Sequence, residues 1–243
     1  MDTFICTVGT SALTNTPPPG SRRAALGLSF EARSTLGKPG TFGNQQPFRE
    51  AAVTDYVEVL GRAAVAANRG DEAVVRDLLR QVSAELSSLA LLRFMRVRRG
   101  LGRVVLVSSD TGPGSIAATI VGEAIEKCWP VEELHTELCA GLDPEDQGRF
   151  LGTGLQNLQE LVKRNVETWR DGTVHLNITG GLKGGIPFLT AIGMKHGLPI
   201  VYLFDQGLGV SWIDGRVLAL QVQGGGDWGS AAKSTSFADM PLG

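Results

Sequence analysis

Histidine and cysteine are scarce in this sequence, three of each, and the scarcity excludes several chemistries at once. Cys6, Cys128 and Cys139 are odd in number and lack metal-ligand spacing, so neither a disulfide framework nor a thiolate zinc site is supported. His135, His175 and His196 share no ligand spacing either, so no metal and no cofactor is expected. An excess of one charge is also missing: 23 Lys and Arg against 25 Asp and Glu leave a net charge of −2. No broad basic face for long nucleic acid is therefore expected, whereas a small phosphorylated ligand needs only a local patch of donors. No apolar run reaches the roughly 18–20 residues of a membrane span, and the opening MDTFICTVGT lacks both the basic and the apolar stretch of a signal peptide. The expectation is a cytoplasmic protein without membrane contact. Neither GxxxxGK[ST] nor GxGxxG after the first strand is present, and no ribose-binding acid follows about 20 residues on, which argues against a dinucleotide-dependent enzyme.

What is present is a repeated strand, small-residue turn and helix. At 243 residues and 42% hydrophobic, the chain is long enough for one domain with a substantial core. Phe4–Val8 reads as a buried strand that stops at Gly9-Thr10-Ser11. Residues Thr14 to Gly43 are crowded with Pro, Gly, Ser and Thr and read as a functional or disordered loop, a candidate lid because it starts beside Ser11. From about 47 to 99 the spacing predicts a helical insertion. A first helix carries Val53, Tyr56, Val57 and Leu60; after Gly70 a second, capped by Asp71, runs through Leu78, Leu79, Val82, Leu86 and Leu89.

Arg103–Val107 is the next strand, ending at Ser108-Ser109-Asp110-Thr111-Gly112, with a helix behind it. Val131–Leu138 alternates like a strand, and Asp143-Pro144-Glu145 reads as the start of the helix through Leu155 to Trp169. Val174–Ile178 runs into Thr179-Gly180-Gly181, its helix ends before Gly197, and Leu198–Phe204 follows as a strand. The pattern predicts an α/β fold: a Rossmann-like, doubly wound, mainly parallel sheet with helices on both faces. A C-terminal β-hairpin is expected from Gly209–Ile213, the Asp214-Gly215 turn and Arg216–Val222, and residues 223–243 read as a Gly/Ser-rich tail or linker.

In such sheets ligands bind beyond the carboxyl ends of the strands. Three ends carry small residues, hydroxyls and a helix start: Gly9-Thr10-Ser11, Ser108 to Gly112, and Asn177 to Gly185. Small residues there also suit any turn between strand and helix, and for Ser108 to Gly112 that reading weighs as much as a ligand role. The run Gly180-Gly181-Leu182-Lys183-Gly184-Gly185 departs further from what a helix start prefers, since a cation opposes the dipole and each glycine costs about 1 kcal/mol relative to alanine. That departure points to an anion site. Arg93, Arg96, Arg98 and Arg99 read as a solvated helix end, and Cys6 as a buried small hydrophobe.

The strand into Val8-Gly9-Thr10-Ser11, followed by Leu13-Thr14-Asn15, together with the late strand into Asn177-Ile178-Thr179-Gly180-Gly181-Leu182-Lys183, resembles the CRISPR-associated Rossmann-fold (CARF) domains of type III CRISPR systems. The resemblance covers residues 1–222. It implies a homodimer that binds a cyclic oligoadenylate in antiviral signalling, with Gly9, Thr10 and Ser11 on the ring phosphates and Asn177, Thr179, Gly180 and Gly181 as donors. Lys183 would lie near a phosphate, and Asp110 and Thr111 would face an adenine or ribose. Two outcomes are open. A standalone CARF protein is a ring nuclease, in which Ser11 and Lys183 assist metal-independent attack by a ribose 2′-OH; a CARF sensor instead controls a downstream effector domain. The short polar tail favours the ring nuclease. The ring size, four or six adenosines, is not fixed by these motifs.

Overall fold

The parallel register of the central strands organises everything else. The structure is a computed structural model that describes residues 1–38, 45–94, 101–181, 183–204, 210–216 and, for the backbone, 232–235. In chain order it runs β1 (Asp2–Val8), α1 (Ser11–Thr14), α2 (Arg22–Ala25), α3 (Phe30–Ser34), α4 (Gln45–Asn68), α5 (Glu72–Leu79), α6 (Ala84–Phe94), β2 (Arg103–Ser109) and α7 (Gly112–Cys128). There follow β3 (Glu133–Cys139), α8 (Gln147–Arg149), a π-helical turn (Phe150–Gly154), α9 (Leu155–Thr168), β4 (Thr173–Asn177), a 3-10 turn (Lys183–Gly185), α10 (Ile186–His196), β5 (Pro199–Leu203), β6 (Val210–Asp214) and β7 (Ala232–Thr235).

The strands form one sheet in the order β3-β2-β1-β4-β5-β6-β7. The strands β3, β2, β1, β4 and β5 are parallel, and β6 and β7 are added antiparallel. This is the expected α/β fold. Because side chains alternate across a strand, β1 divides between two cores. Phe4, Cys6 and Val8 pack with Val104 and Leu106 under α4 to α7, while Ile5 packs with Val105, Val107, Val174 and Leu176 under α9 and α10. His175 is a core residue, stacked on Phe4 at 4.9 Å and edge-on to Trp212 at 5.5 Å. The three cysteines are free thiols. Among the described residues no helix is long and apolar enough to cross a membrane, and no group of three His, Cys, Asp or Glu is placed to hold a metal ion.

Several local expectations are corrected. The second helix of the insertion is two helices: Asp71 caps α5 through the Val74 N–H as expected, but the chain leaves the helix after Leu79 and restarts at Ser83, whose hydroxyl accepts from the Leu86 N–H. The helix after β3 does not start at Asp143-Pro144-Glu145. Asp143 closes a small turn by accepting from the Glu145 N–H, and Asp146 is the cap, accepting from the Arg149 N–H. Lys183 lies in a 3-10 turn rather than at the start of α10 itself. At the C-terminal edge β6 pairs with β5 on one side and β7 on the other. Arg216, the first residue of the expected second hairpin arm, is helical, and the rest of that arm lies outside the described residues, as do Arg96, Arg98, Arg99 and residues 39–44. The strand β7 lies within the segment read as a tail.

The segment after Thr14 is not irregular over its described part. Ser21 and Ser29 cap α2 and α3, and two arginines fix it to the body. Arg23, 1% exposed, pairs with the buried Asp55 of α4 at 3.1 Å and lies over the Tyr56 ring. Asp55 also accepts from the Arg22 and Arg23 N–H groups. Arg33 donates to the carbonyls of Leu13 and Asn15. Such a segment is a strap over α4. Removing one partner of a buried pair strands the other charge. Asp55→Ala should therefore destabilise the protein by about 3–5 kcal/mol in urea denaturation, whereas Arg22→Ala, which breaks the exposed pair with Glu58, should cost less than about 1 kcal/mol.

Candidate functional site

The sheet order reverses direction of winding between β1 and β4, and the crevice beyond such a switch point is where ligands of open α/β sheets bind. The two strands leave the sheet side by side, Cys6 opposite Asn177, so their turns meet. They meet at backbone distance. A methyl group on Gly9 would lie 2.8 Å from the Gly181 carbonyl oxygen, and one on Gly181 would lie 2.5 Å from the Thr7 hydroxyl. Gly181 also has φ +89°, a conformation that side chains disfavour. Thr7 donates its hydroxyl to the Gly180 carbonyl at 3.0 Å, completing the seam.

The seam is closed by a residue that the sequence reading passed over. Glu85, in the first turn of α6 and 1% exposed, points its carboxylate into the junction. Oε1 accepts from the Gly9 N–H at 2.8 Å and the Gly181 N–H at 3.1 Å, and Oε2 accepts from the Ser11 hydroxyl at 3.3 Å. One carboxylate thus ties β1, the β4 turn and α6 together. Burial pushes the Glu85 carboxyl above its ordinary value, opposed first by the Gly9 amide. A methyl on Gly180 would lie 2.0 Å from Glu85 Oε1, so this glycine is dictated by the carboxylate. Three residues on, Ser88 of α6 accepts from the Asn177 amide at 2.8 Å. The signal was a lone acid in an otherwise small and apolar helix, Ala84-Glu85-Leu86-Ser87-Ser88-Leu89.

Above this floor opens a cleft of about 790 Å³, lined in part by Gly9, Thr10, Ser11, Thr179, Gly180, Gly181 and Lys183. The two strand ends that the sequence singled out most strongly are therefore brought together. Asn177 lies beneath the cleft, 2% exposed; besides Ser88, it receives the Thr179 N–H on its side-chain oxygen, so it shapes the turn instead of facing solvent. The Thr179 hydroxyl accepts from the Leu203 N–H. Asp110 and Thr111 do not line the cleft. Asp110 pairs with Arg149 and accepts from the Gly141 N–H, and Thr111 caps α7 through the Gly114 N–H. Among the described residues of this segment, Thr14 and Asn15 line the cleft.

The cleft also recruits residues that motif reading did not mark. Arg76 of α5 and Arg80, which caps its C-terminal end, join Lys183, and among the described lining residues there is no acid. The buried Nε of Arg76 has no hydrogen-bond partner among the described residues. Phe204, 58% exposed, also lines the cleft and lies edge-on to Tyr202 at 5.1 Å. Their positions follow from the break between α5 and α6 and from the end of β5, neither of which carries a motif. Cations above a glycine seam, beside an exposed aromatic face, have the chemistry to meet phosphate oxygens and flat rings.

The seam itself is testable without a ligand. Gly181→Ala should lower stability by about 1–3 kcal/mol, read as a fall in melting temperature. Gly61→Ala, inside α4 with open space around the new methyl, should instead raise it by up to about 1 kcal/mol.

Comparison with known proteins adds one finding. The family model described as CRISPR-associated protein (Cas_APE2256) matches residues 80–210, more than half of the chain, including Glu85, Asn177 and Lys183. No curated protein matches.

Proposed function

The chain belongs to that CRISPR-associated family, and from this premise we propose that its cleft binds a cyclic oligoadenylate across the axis of a homodimer and opens the ring by attack of a ribose 2′-OH on the adjacent phosphorus. The observation that carries the reading is the grouping of Arg76, Arg80 and Lys183, with no acid among the described lining residues, over the Gly9 and Gly181 seam. A ring of adenosines has one negative phosphate per link and a flat base per nucleoside. The cations suit the phosphates, and Phe204 offers a stacking face for adenine. A two-fold ring fits an isologous dimer, in which each protomer supplies the same half-site.

The chemistry asks little of the protein beyond position and charge. The 2′-oxygen must lie in line with the bond from phosphorus to the 5′-oxygen, and the charge gathering on the phosphoryl oxygens must be met. Lys183, exposed on its 3-10 turn at the mouth of the cleft, meets that charge. Arg76 and Arg80 hold the neighbouring phosphates. The Gly9 and Gly181 amides are taken by Glu85, so these loops shape the site while side chains carry the anion contacts.

Cyclic tetra- and hexa-adenylate incubated with the protein in EDTA should yield linear products ending in a 2′,3′-cyclic phosphate. Lys183→Ala should slow cleavage about 10²–10³-fold while binding is largely retained, and Arg76→Ala should weaken binding by about tenfold or more. A ring bound tightly but left intact over hours would make the protein a sensor, and a ring not bound at all would remove the reading.

A further inference from the structure

Two hydrogen bonds decide what the Ser11 hydroxyl can offer a ligand. A serine hydroxyl has one proton and two acceptor lone pairs. Its proton is directed at Glu85 Oε2, 3.3 Å away, because an ionised carboxylate can only accept. One lone pair accepts from the Ala84 N–H at 3.4 Å. What remains toward the cleft, which Ser11 lines, is a single acceptor site. A phosphate oxygen, itself an acceptor, cannot use it. A hydroxyl can.

We propose that Glu85 is a positioning residue which, through the Ser11 hydroxyl, receives the proton of the attacking ribose 2′-OH. This rests on the ring-opening reading above and supplies a base where the described lining residues include no histidine and no carboxylate. In the step, the 2′-oxygen forms its bond to phosphorus as the bond from phosphorus to the 5′-oxygen breaks. The 2′-OH proton passes to Ser11 Oγ while the Ser11 proton passes to Glu85 Oε2. The departing 5′-oxygen takes a proton from water, and Glu85 later returns its own to water, so the chain is restored. Oε1 keeps its two amide hydrogen bonds throughout, which is why the carboxylate can change protonation without the seam opening.

The other titratable side chains packed beside Glu85 come from β1 and α4. On β1 the Cys6 thiol is pushed up to about 12 by burial, and on α4 the Tyr56 phenol is pushed up to about 12 by burial as well. Both stay neutral. Beyond Tyr56, Arg23 and Asp55 form an ion pair with each other, Ser83 just before α6 and Ser88 on it carry no charge, and the cleft side holds Arg76, Arg80 and Lys183. A base must be deprotonated to act. Burial raises the Glu85 carboxyl, so the rate should fall as pH drops through a value above that of an ordinary Glu, and level off above it.

The test compares wild type with Glu85→Gln and Glu85→Asp in single-turnover cleavage of cyclic tetra-adenylate across pH 5–9, with ring affinity and melting temperature measured alongside. Gln keeps an oxygen for the two amides but cannot take a proton. We expect Glu85→Gln to bind the ring with little change and to cleave at least about 100-fold more slowly, with its acid limb lost, and Glu85→Asp to recover part of the rate. A folded Glu85→Gln protein that cleaves within threefold of wild type overturns the proposal while leaving ring opening intact. If Glu85→Gln does not fold, the wild-type profile decides, and a rate independent of pH from 5 to 9 overturns it. Wild type that binds the ring and never opens it overturns both.

Discussion

The Glu85 carboxylate holds two backbone turns and one hydroxyl at the same time, and the shape of the cleft depends on it. The turns after β1 and β4 approach so closely that no side chain fits between Gly9, Gly180 and Gly181. Two amide groups facing each other across such a seam need a shared acceptor, and in a buried place a missing acceptor is costly. A carboxylate satisfies both, and the positive end of α6, in whose first turn it lies, favours its charge. The glycines are therefore explained first by packing, and only through packing by function.

This changes how the site divides its work. Glycine-rich turns at strand ends are commonly read as cradles whose amides hold phosphate. Here the Gly9 and Gly181 amides are occupied from inside the protein. The cleft instead presents long cationic side chains on separate elements, Arg76 on α5, Arg80 at its C-terminal cap and Lys183 on its 3-10 turn. Charges spread over a rim suit a ligand with phosphates at several points better than a single terminal phosphate. Asn177 and Thr179 belong to the same logic, since each spends its side chain on holding the turn.

Much of the fold was legible because its signals are local. Buried β-branched runs such as Val104 to Val107, the Asp71 cap and the left-handed Gly197 at the end of α10 each speak for the element that they bound. The meeting of Gly9 to Ser11 with Thr179 to Lys183 was legible too, from the rule on strand ends alone. What was hidden depends on tertiary placement. Glu85 looks like a surface residue until α6 is packed on the strand ends. Arg23 and Arg33 look solvated until their partners, Asp55 and the backbone carbonyls of Leu13 and Asn15, come from distant or folded-back segments. Asp110 and Thr111 have the residue types of a ligand site, but they lie outside the cleft lining, where Asp110 pairs with Arg149 and Thr111 caps α7.

The central claim is that this cleft takes a cyclic oligoadenylate shared between two chains, and native mass spectrometry of the Lys183→Ala protein with cyclic tetra- or hexa-adenylate tests it most directly. The account predicts one ring per two chains, with the complex lost when Arg76 and Arg80 are also replaced by Ala. A protein that stays ring-free at ligand excess, or that binds linear and cyclic oligoadenylates alike as a monomer, would contradict it.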